Sequence, residues 1–97
     1  MNDDPSADWG DSPVEIPIEN SIDLHSFLPR DIPEVVEEYL YQCHQRGFPE
    51  VRIIHGRGTG TQRAIVQNLL ASHPLVKSFR DAPPELGGWG ATWVVLK

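Results

Sequence analysis

The sequence predicts an α/β fold, a two-layer sandwich in which a four-stranded mixed sheet packs against two helices in the order βαβαββ. The 97 residues are enough for one domain of ordinary size. Short strand-like apolar runs alternate with two longer segments whose apolar residues recur at helical spacing. Because two helices cover one face of such a sheet, we expect the other face to be partly open to a ligand.

The N-terminal segment differs in composition from the rest of the chain. Residues 1–13 are rich in acidic, proline and small polar residues, which predicts disorder. Residues 14–19 alternate apolar and polar residues, but Pro17 lacks a backbone donor, so they support an extended arm or an edge strand at most. We therefore divide the chain into an acidic, largely disordered N-terminal arm, residues 1–21, and a folded domain, residues 22–97.

The first strand and the first helix are predicted within residues 22–46. Apolar and polar residues alternate in IDLH at residues 22–25, as they do along a short strand. Asp31 stands where a helix N-cap belongs, and the helix is predicted to end near Arg46 because Gly47 follows. Its apolar face repeats every three or four residues and comprises Ile32, Val35, Val36, Tyr39, Leu40 and Cys43.

The remaining elements follow a glycine-rich turn. Residues 51–55, VRIIH, form a β-branched strand that runs into the turn GRGTG at residues 56–60. Residues 61–73 follow a helical pattern with Ile65 and Leu69 on one face. A short βαβ crossover makes the first two strands parallel, and a wide hairpin is one way to join the last two. Those last strands are predicted at residues 75–79 and 91–96.

Charge is distributed unevenly along the chain. The net charge of −6 belongs to residues 1–21, and residues 22–97 are neutral overall. Within them, residues 51–80 contain five Lys or Arg side chains and no Asp or Glu. We interpret this segment as a cationic face that binds phosphate; the alternative is a solvated surface paired with nearby carboxylates. The cations are Arg52, Arg57, Arg63, Lys77 and Arg80, and the candidate carboxylates are Glu34, Glu37, Glu38 and Asp81.

Several classes of protein are excluded. No run approaches the ~18 apolar residues of a membrane span, and the acidic N-terminus is unlike a secretory signal. We therefore expect a cytoplasmic protein with no membrane partner. The single cysteine, Cys43, has no partner for a disulfide or for a CxxC zinc site. The turn at residues 56–60 lacks P-loop spacing, which argues against a nucleoside triphosphatase.

Two polar segments are predicted to meet at the carboxyl edge of the parallel strands. Asp23 and His25 lie two residues apart on one strand, so the carboxylate is placed to orient the imidazole. His55 and Arg57 follow the second strand in a turn whose N–H groups, with the next helix N-terminus, favour phosphate. A base, an acid and a cation suit phosphodiester cleavage, so we predict catalytic roles for these four residues. The predicted nucleic-acid contacts are Gly56, Gly58, Gly60, Arg63, Lys77 and Arg80.

Four separated motifs resemble the Smr domain, the small MutS-related module, in its stand-alone bacterial form. They are IDLHSF, IIHGRGTG, HPLVKSF and GGWGATWVVL, in family order between Ile22 and Leu96. The resemblance implies a fold similar to the C-terminal domain of translation initiation factor three, and an endonuclease that cleaves RNA or nicks DNA. Asp23 and His25 match a leucine-aspartate-x-histidine-glycine motif, with Ser26 in place of the commoner glycine. His55, Gly56 and Gly58 match a histidine-glycine-x-glycine motif.

Other functions stay open at this point. One is a non-catalytic module that binds nucleic acid; another is a protein-interaction module that docks through Trp9 and Trp89. Trp89 alternatively stacks on a base or belongs to the core. Asp23 has no carboxylate cluster around it, which disfavours a two-metal mechanism, and magnesium is a candidate cofactor only if DNA is the substrate. His44 and His73 are expected at the surface, and the oligomeric state is not predicted.

Overall fold

Residues 19–97 are described by a computed structural model, in which one sheet of four strands packs against two α-helices. The predicted fold class is confirmed, including the order βαβαββ. The segment predicted to be disordered, residues 1–13, lies outside the described residues. The elements are β1 (Ser21–Asp23), α1 (Ile32–Gln45), β2 (Glu50–Ile54), α2 (Thr61–Ala71), β3 (Val76–Asp81) and β4 (Ala91–Leu96).

The strands lie in the order β1-β2-β4-β3 across the sheet. β1 runs parallel to β2, as the βαβ crossover predicts, and β4 pairs antiparallel with both β2 and β3. Asp23 at the end of β1 pairs with Ile54 at the end of β2, so the carboxyl ends of these two strands form one edge. The segments that follow them, which contain the predicted site, therefore start side by side.

The core lies between the helices and one face of the sheet. Val51 and Ile53 of β2 are buried, and they alternate with Arg52, which is half-buried on the opposite face. The opposite face is only partly covered, with Trp93 of β4 in register with Arg52. Within residues 19–97, no helix is long and apolar enough to cross a membrane. The buried helical residues are Ile32, Val36, Tyr39, Leu40 and Cys43 of α1, and Val66 and Leu70 of α2.

Residues 19–21, which the sequence assigned to the arm, make contacts with the domain. Ser21 is the first residue of β1. The Arg52 backbone N–H donates to the Asn20 carbonyl at 2.8 Å, and the Tyr39 hydroxyl donates to the Glu19 carbonyl at 2.6 Å. The described fold therefore begins before residue 22.

The start of α1 differs from the sequence-based prediction. Asp31 precedes the helix, but its side chain makes no capping hydrogen bond. A 3₁₀ turn over Pro29–Asp31 runs directly into α1 and leaves Asp31 in a helical conformation. The Ile32 N–H donates to the Pro29 carbonyl, so the 3₁₀ turn supplies the partner of the first helical N–H without a side chain.

The far end of α2 also departs from expectation. His73, predicted at the surface, is buried at 8% exposure. Its Nδ1 accepts a hydrogen bond from the Leu75 N–H at 3.1 Å, so Nε2 carries the proton that is donated to Glu37 of α1. His73 thus joins the segment after α2 to α1.

Two stripes of α2 are covered instead of the single face predicted. Val66 and Leu70 are buried, whereas Ile65 and Leu69 are packed against the core only in part. The helix lies against α1 on one side and against β3 and β4 on the other. The stripe of Val66 and Leu70 and the neighbouring stripe of Ile65 and Leu69 are therefore both shielded from solvent, the second only in part.

Candidate active site

A cleft of about 420 Å³ lies at the carboxyl edge of β1 and β2. His25, which follows β1, forms one side of it. The glycine-rich turn after β2 and the first turn of α2 form the other side. The structure thus brings together the two polar segments that the sequence predicts to meet at this edge.

Asp23 and His25 form a hydrogen-bonded pair at the cleft. Asp23 Oδ1 accepts from the His25 backbone N–H at 2.9 Å and from His25 Nδ1 at 2.8 Å. The backbone N–H first, and the imidazole second, lower the pKa of the Asp23 carboxyl below its ordinary value. Because a carboxylate only accepts, Nδ1 carries the proton, and Nε2 of the neutral ring keeps a free lone pair. With the His25 side chain 80% exposed, that nitrogen is accessible to a substrate.

His55 occupies the opposite environment. Only 6% of its surface is exposed, although it contributes to the wall of the cleft. Its Nδ1 lies 3.1 Å from the Gly56 carbonyl oxygen and its Nε2 lies 2.8 Å from Thr92 Oγ1. Burial lowers the pKa of the imidazole, which favours the neutral ring. Both ring nitrogens are therefore engaged, and the structure does not present His55 as a free proton donor.

A hydrogen-bond chain fixes the direction of each proton around His55. The Gly56 carbonyl can only accept, so His55 Nδ1 donates to it and Nε2 accepts from the Thr92 hydroxyl. Gln67 of α2 donates to Thr92 Oγ1 at 3.2 Å and to Asp81 Oδ1 at 3.4 Å. This chain links α2, β4 and β3 to the first residue of the glycine-rich turn. Sequence reasoning missed Gln67 and Thr92, which carry no local signal.

The glycine-rich turn and the first turn of α2 line the cleft. Gly56 and Gly60 have φ values of +80° and +84°, in the left-handed region that favours glycine. Gly60 immediately precedes α2, whose first turn contains no acidic residue. The unpaired N–H groups and the positive dipole end of a helix start attract an anion. The arrangement suits a phosphate in the cleft.

Two of the predicted cations line the cleft, and each has a protein partner. Arg63 of α2 forms a two-pronged ion pair with Asp81, with Nη2–Oδ1 and Nη2–Oδ2 distances of 2.8 and 3.1 Å. This pairing lowers the pKa of the Asp81 carboxyl. The Arg57 guanidinium lies over Trp89 and donates to the Gly87 carbonyl at 3.3 Å.

Lys77 and Arg80 lie away from the cleft. Both are exposed on β3, and β2 and β4 separate that strand from β1. The structure therefore does not bring them together with His25 and the glycine-rich turn.

Metal-ligating side chains are not clustered into a site for a metal ion in the described part of the chain. Within residues 19–97, no group of three or more His, Cys, Asp or Glu side chains is placed to hold one. The Asp23 carboxylate is already directed at His25.

A larger cavity of about 920 Å³ lies along α1, away from the cleft. Its walls combine apolar side chains with four carboxylates, which would repel a phosphate. We therefore place the candidate site at the smaller cleft. The four carboxylates belong to Asp31, Glu34, Glu37 and Glu38.

The fold and the cleft define a small two-layer α/β domain in which an Asp–His pair lies beside a glycine-rich turn. Comparison with known families then gives its relationship. The profile of the Smr domain matches residues 22–97. The chain belongs to the Smr domain family, which confirms the resemblance drawn from its four motifs.

Similar proteins extend this relationship. The chain is 39% identical over 80 residues to Endonuclease MutS2 of Thermomicrobium roseum, and 42% identical over 80 residues to that of Caldicellulosiruptor bescii. Each match covers 82% of this chain and 10% of the relative, so the chain spans about a tenth of the length of these proteins.

Two crystal structures have the same fold. The Smr domain of Thermus thermophilus MutS2 aligns with a TM-score of 0.78 and 33% identity, covering 81% of this chain and 99% of that one. YdaL, a stand-alone small MutS-related protein from Escherichia coli, aligns with a TM-score of 0.76 and 27% identity, covering 80% and 64%.

Proposed function

We propose that this domain is an endonuclease that cleaves a phosphodiester bond of nucleic acid in the cleft beside His25. The observation that carries the proposal is the Asp23–His25 pair, in which the carboxylate holds the Nδ1 proton and leaves Nε2 free. A base positioned in this way accepts a proton from an attacking oxygen. The naming of the MutS2 relatives as endonucleases supports the same reaction class.

On RNA, the attacking oxygen is the 2′-hydroxyl next to the scissile phosphate. His25 Nε2 takes the hydroxyl proton as the P–O2′ bond forms and the P–O5′ bond breaks. The products are a 2′,3′-cyclic phosphate and a 5′-hydroxyl, whose oxygen takes a proton from water. No step requires a metal ion.

The phosphate is held by the glycine-rich turn and its neighbours. Backbone N–H groups at the start of α2 and the Arg57 guanidinium belong to residues that line the cleft, and they supply hydrogen-bond donors for an anion. Arg63 lies at the same wall, where Asp81 fixes its guanidinium. Lys77 and Arg80 stay as predicted contacts for phosphates further along the strand.

His55 has a positioning role in this proposal instead of the proton transfer suggested by the sequence. Its Nδ1 proton is donated to the Gly56 carbonyl, at the start of the turn. Its Nε2 is held by Thr92. The ring therefore fixes the turn that presents N–H groups to the phosphate, while His25 performs the proton transfer.

The test uses RNA with a single modified sugar. Once the cut site on an RNA oligonucleotide is mapped, the same oligonucleotide is made with a 2′-deoxy sugar at that position only. We expect cleavage to stop at that site, to persist on the unmodified RNA in EDTA, and to leave a cyclic phosphate end.

Three outcomes would contradict part or all of the proposal. Continued cleavage at the 2′-deoxy site, or loss of activity in EDTA, would replace the 2′-hydroxyl mechanism with water attack assisted by a metal, as in a DNA nickase. Binding of RNA or DNA without any cleavage would leave the domain as a non-catalytic nucleic-acid-binding module. The readout is the size and chemistry of the product ends on a denaturing gel.

A further inference from the structure

The loop of residues 87–90 is attached directly to the glycine-rich turn. The Gly90 carbonyl accepts hydrogen bonds from the backbone N–H groups of His55 and Gly56, at 3.1 and 2.8 Å. The sequence motif GGWG, which the cleavage mechanism does not use, therefore forms one structural unit with the motif HGRG. What this unit presents to solvent lies beside the cleft.

The Arg57 side chain lies close to two glycines of this loop, Gly88 and Gly90. A Cβ on Gly88 would come within 2.8 Å of Arg57 Nη2, and one on Gly90 within 3.1 Å of Arg57 Cγ. Both distances are shorter than ordinary van der Waals contact. Glycine at these positions leaves room for the Arg57 side chain to lie along the loop, where its guanidinium donates to the Gly87 carbonyl.

Trp89 is the one side chain between these two glycines, and it remains exposed. The Arg57 Cζ lies 5.9 Å from the centroid of its ring, a cation–π distance. Nearly half of the residue, 45%, is accessible to solvent, and it is not part of the hydrophobic core formed within residues 19–97. A large aromatic group is thus held beside the candidate phosphate site without a packing role in the core.

We propose that Trp89, with Arg57 against it, is a stacking subsite for an unpaired nucleobase next to the phosphate in the cleft. This inference rests on the proposed function and specifies its substrate class. Aromatic rings and arginine planes bind bases through their faces, which a base inside a continuous duplex does not expose. The preferred substrate is therefore single-stranded nucleic acid, or a strand with an unpaired nucleotide at the cut site.

The first measurement compares affinities of the full chain for labelled oligonucleotides in the His25→Ala background, in which cleavage is expected to be slowed. Trp89→Ala should weaken binding of a single strand by ~5- to 150-fold, the range for loss of one stacked base. Trp89→Phe should retain most of the affinity because a flat ring remains. Tyr41→Ala removes another exposed aromatic side chain, 53% exposed on α1, and should change nothing.

The second measurement removes the base instead of the ring. An abasic nucleotide is placed at each position around the cut site of the same strand. At one position, the abasic nucleotide should weaken binding to the Trp89-containing protein about as much as Trp89→Ala weakens binding to the intact strand. On that abasic strand, Trp89→Ala should lower the affinity no further. A matched duplex should bind more weakly and should be insensitive to Trp89→Ala.

The outcomes distinguish a failure of the stacking subsite from a failure of the proposed endonuclease function. Failure of the His25→Ala protein and the parent protein to bind any RNA or DNA would overturn the proposed function itself. Oligonucleotide binding that is unaffected by Trp89→Ala would overturn only the stacking subsite and leave the ring for a protein partner. An equal loss on intact and abasic strands would also overturn it, since Trp89 would then act only by holding Arg57. The abasic series uses the Trp89-containing protein, so it tests the subsite even if Trp89→Ala fails to fold. If an abasic nucleotide weakened binding at no position, the subsite would be overturned.

Discussion

His25 and His55 are the same residue type at one edge of the sheet, and their surroundings give them different chemistry. The first is 80% exposed in its side chain and has one nitrogen tied to a carboxylate. The second is buried, with both nitrogens engaged. The Asp23–His25 contact could be predicted because it spans two residues of one strand. The contact of His55 with Thr92 spans 37 positions, and no local pattern in the sequence contains it.

Substitutions in the Asp23–His25 pair should separate cleavage from binding. We expect His25→Ala to lower the cleavage rate by ~10²- to 10⁴-fold, the usual contribution of general acid–base catalysis. Asp23→Asn should lower it too, because the amide no longer fixes the tautomer that leaves Nε2 free. Affinity for the oligonucleotide should change little in either variant, since the glycine-rich turn is intact. Full activity in both variants would remove the pair from catalysis.

The buried His55 makes a specific contribution to the pH dependence of stability. Its folded pKa is lowered below the ordinary 6.5, so between these two values the unfolded chain binds a proton that the folded chain does not. The free energy of unfolding therefore rises with pH in this window and falls as the pH drops below about 6.5. The lowered carboxyl pKa values of Asp23 and Asp81 act instead as the pH falls below their ordinary 3.8.

Thermal melting between pH 5 and 7 tests this linkage. In His55→Gln, the dependence of Tm on pH should be weaker than in the parent protein, because the titrating ring is gone. Thr92→Val is the matched control, because it removes the hydroxyl partner and keeps the buried ring. It should lower Tm yet retain the slope. Equal slopes in the parent and in His55→Gln would show that His55 does not titrate in this window.

At the scale of elements, periodic segments were predicted well and short ones were not. β4 has the bounds predicted for it, residues 91–96, because ATWVVL follows glycine and is strongly β-forming. The 3₁₀ turns at Pro84–Leu86 and Gly88–Gly90 were not predicted. A single turn of helix has no apolar period, so its form depends on contacts such as those of the Gly90 carbonyl with the turn after β2.

The turn between β2 and α2 gives a prediction with an internal control. Gly56 has a φ of +80° and Gly58 has no φ in the left-handed region, while an added Cβ would meet nothing within 4 Å at either position. Gly56→Ala should therefore cost ~1–2 kcal/mol through backbone strain alone. For a domain of this size we expect Tm to fall by about 4–16 °C, against less than about 4 °C for Gly58→Ala.

Thermal melting of the two variants side by side decides this point. Equal shifts would mean that the left-handed conformation at Gly56 is not required in solution. A retained Tm with weakened oligonucleotide binding in Gly58→Ala would fit a phosphate lying against the turn.

At the scale of the whole molecule, the sum of charge along a segment did not predict a single cationic face. The five cations of residues 51–80 are divided because β4 inserts between β2 and β3. Arg57 and Arg63 line the cleft, while Lys77 and Arg80 lie on the far edge strand. Arg63 is paired with Asp81. For this one cation, the structure agrees with the alternative interpretation, a surface whose cations pair with nearby carboxylates. Sheet order, which the sequence left open, decides which cations act together.

The acidic N-terminal residues give a prediction about the chain as a whole. Deleting residues 1–13 removes four carboxylates and no Lys or Arg, which takes the formal net charge from −6 to −2. Because phosphate is repelled by this charge, we expect the shortened chain to bind oligonucleotides more tightly at low salt. The gain should shrink as the Debye length falls from ~30 Å at 0.01 M to ~8 Å at 0.15 M salt. Tm should not change, since the deleted residues have few apolar side chains.

Affinity measured across this range of salt concentrations, in the parent chain and in two variants, tests the role of charge. The second variant keeps the full length and changes Asp3, Asp4, Asp8 and Asp11 to Asn. If charge is the cause, the full-length Asn variant should gain as much affinity for the oligonucleotide as the deletion does at every salt concentration. A gain in the deletion alone would mean that the segment obstructs the binding surface by its bulk. A loss of several degrees in the Tm of the deletion would mean that Trp9 packs on the domain, because no other large apolar side chain follows Met1 in that stretch.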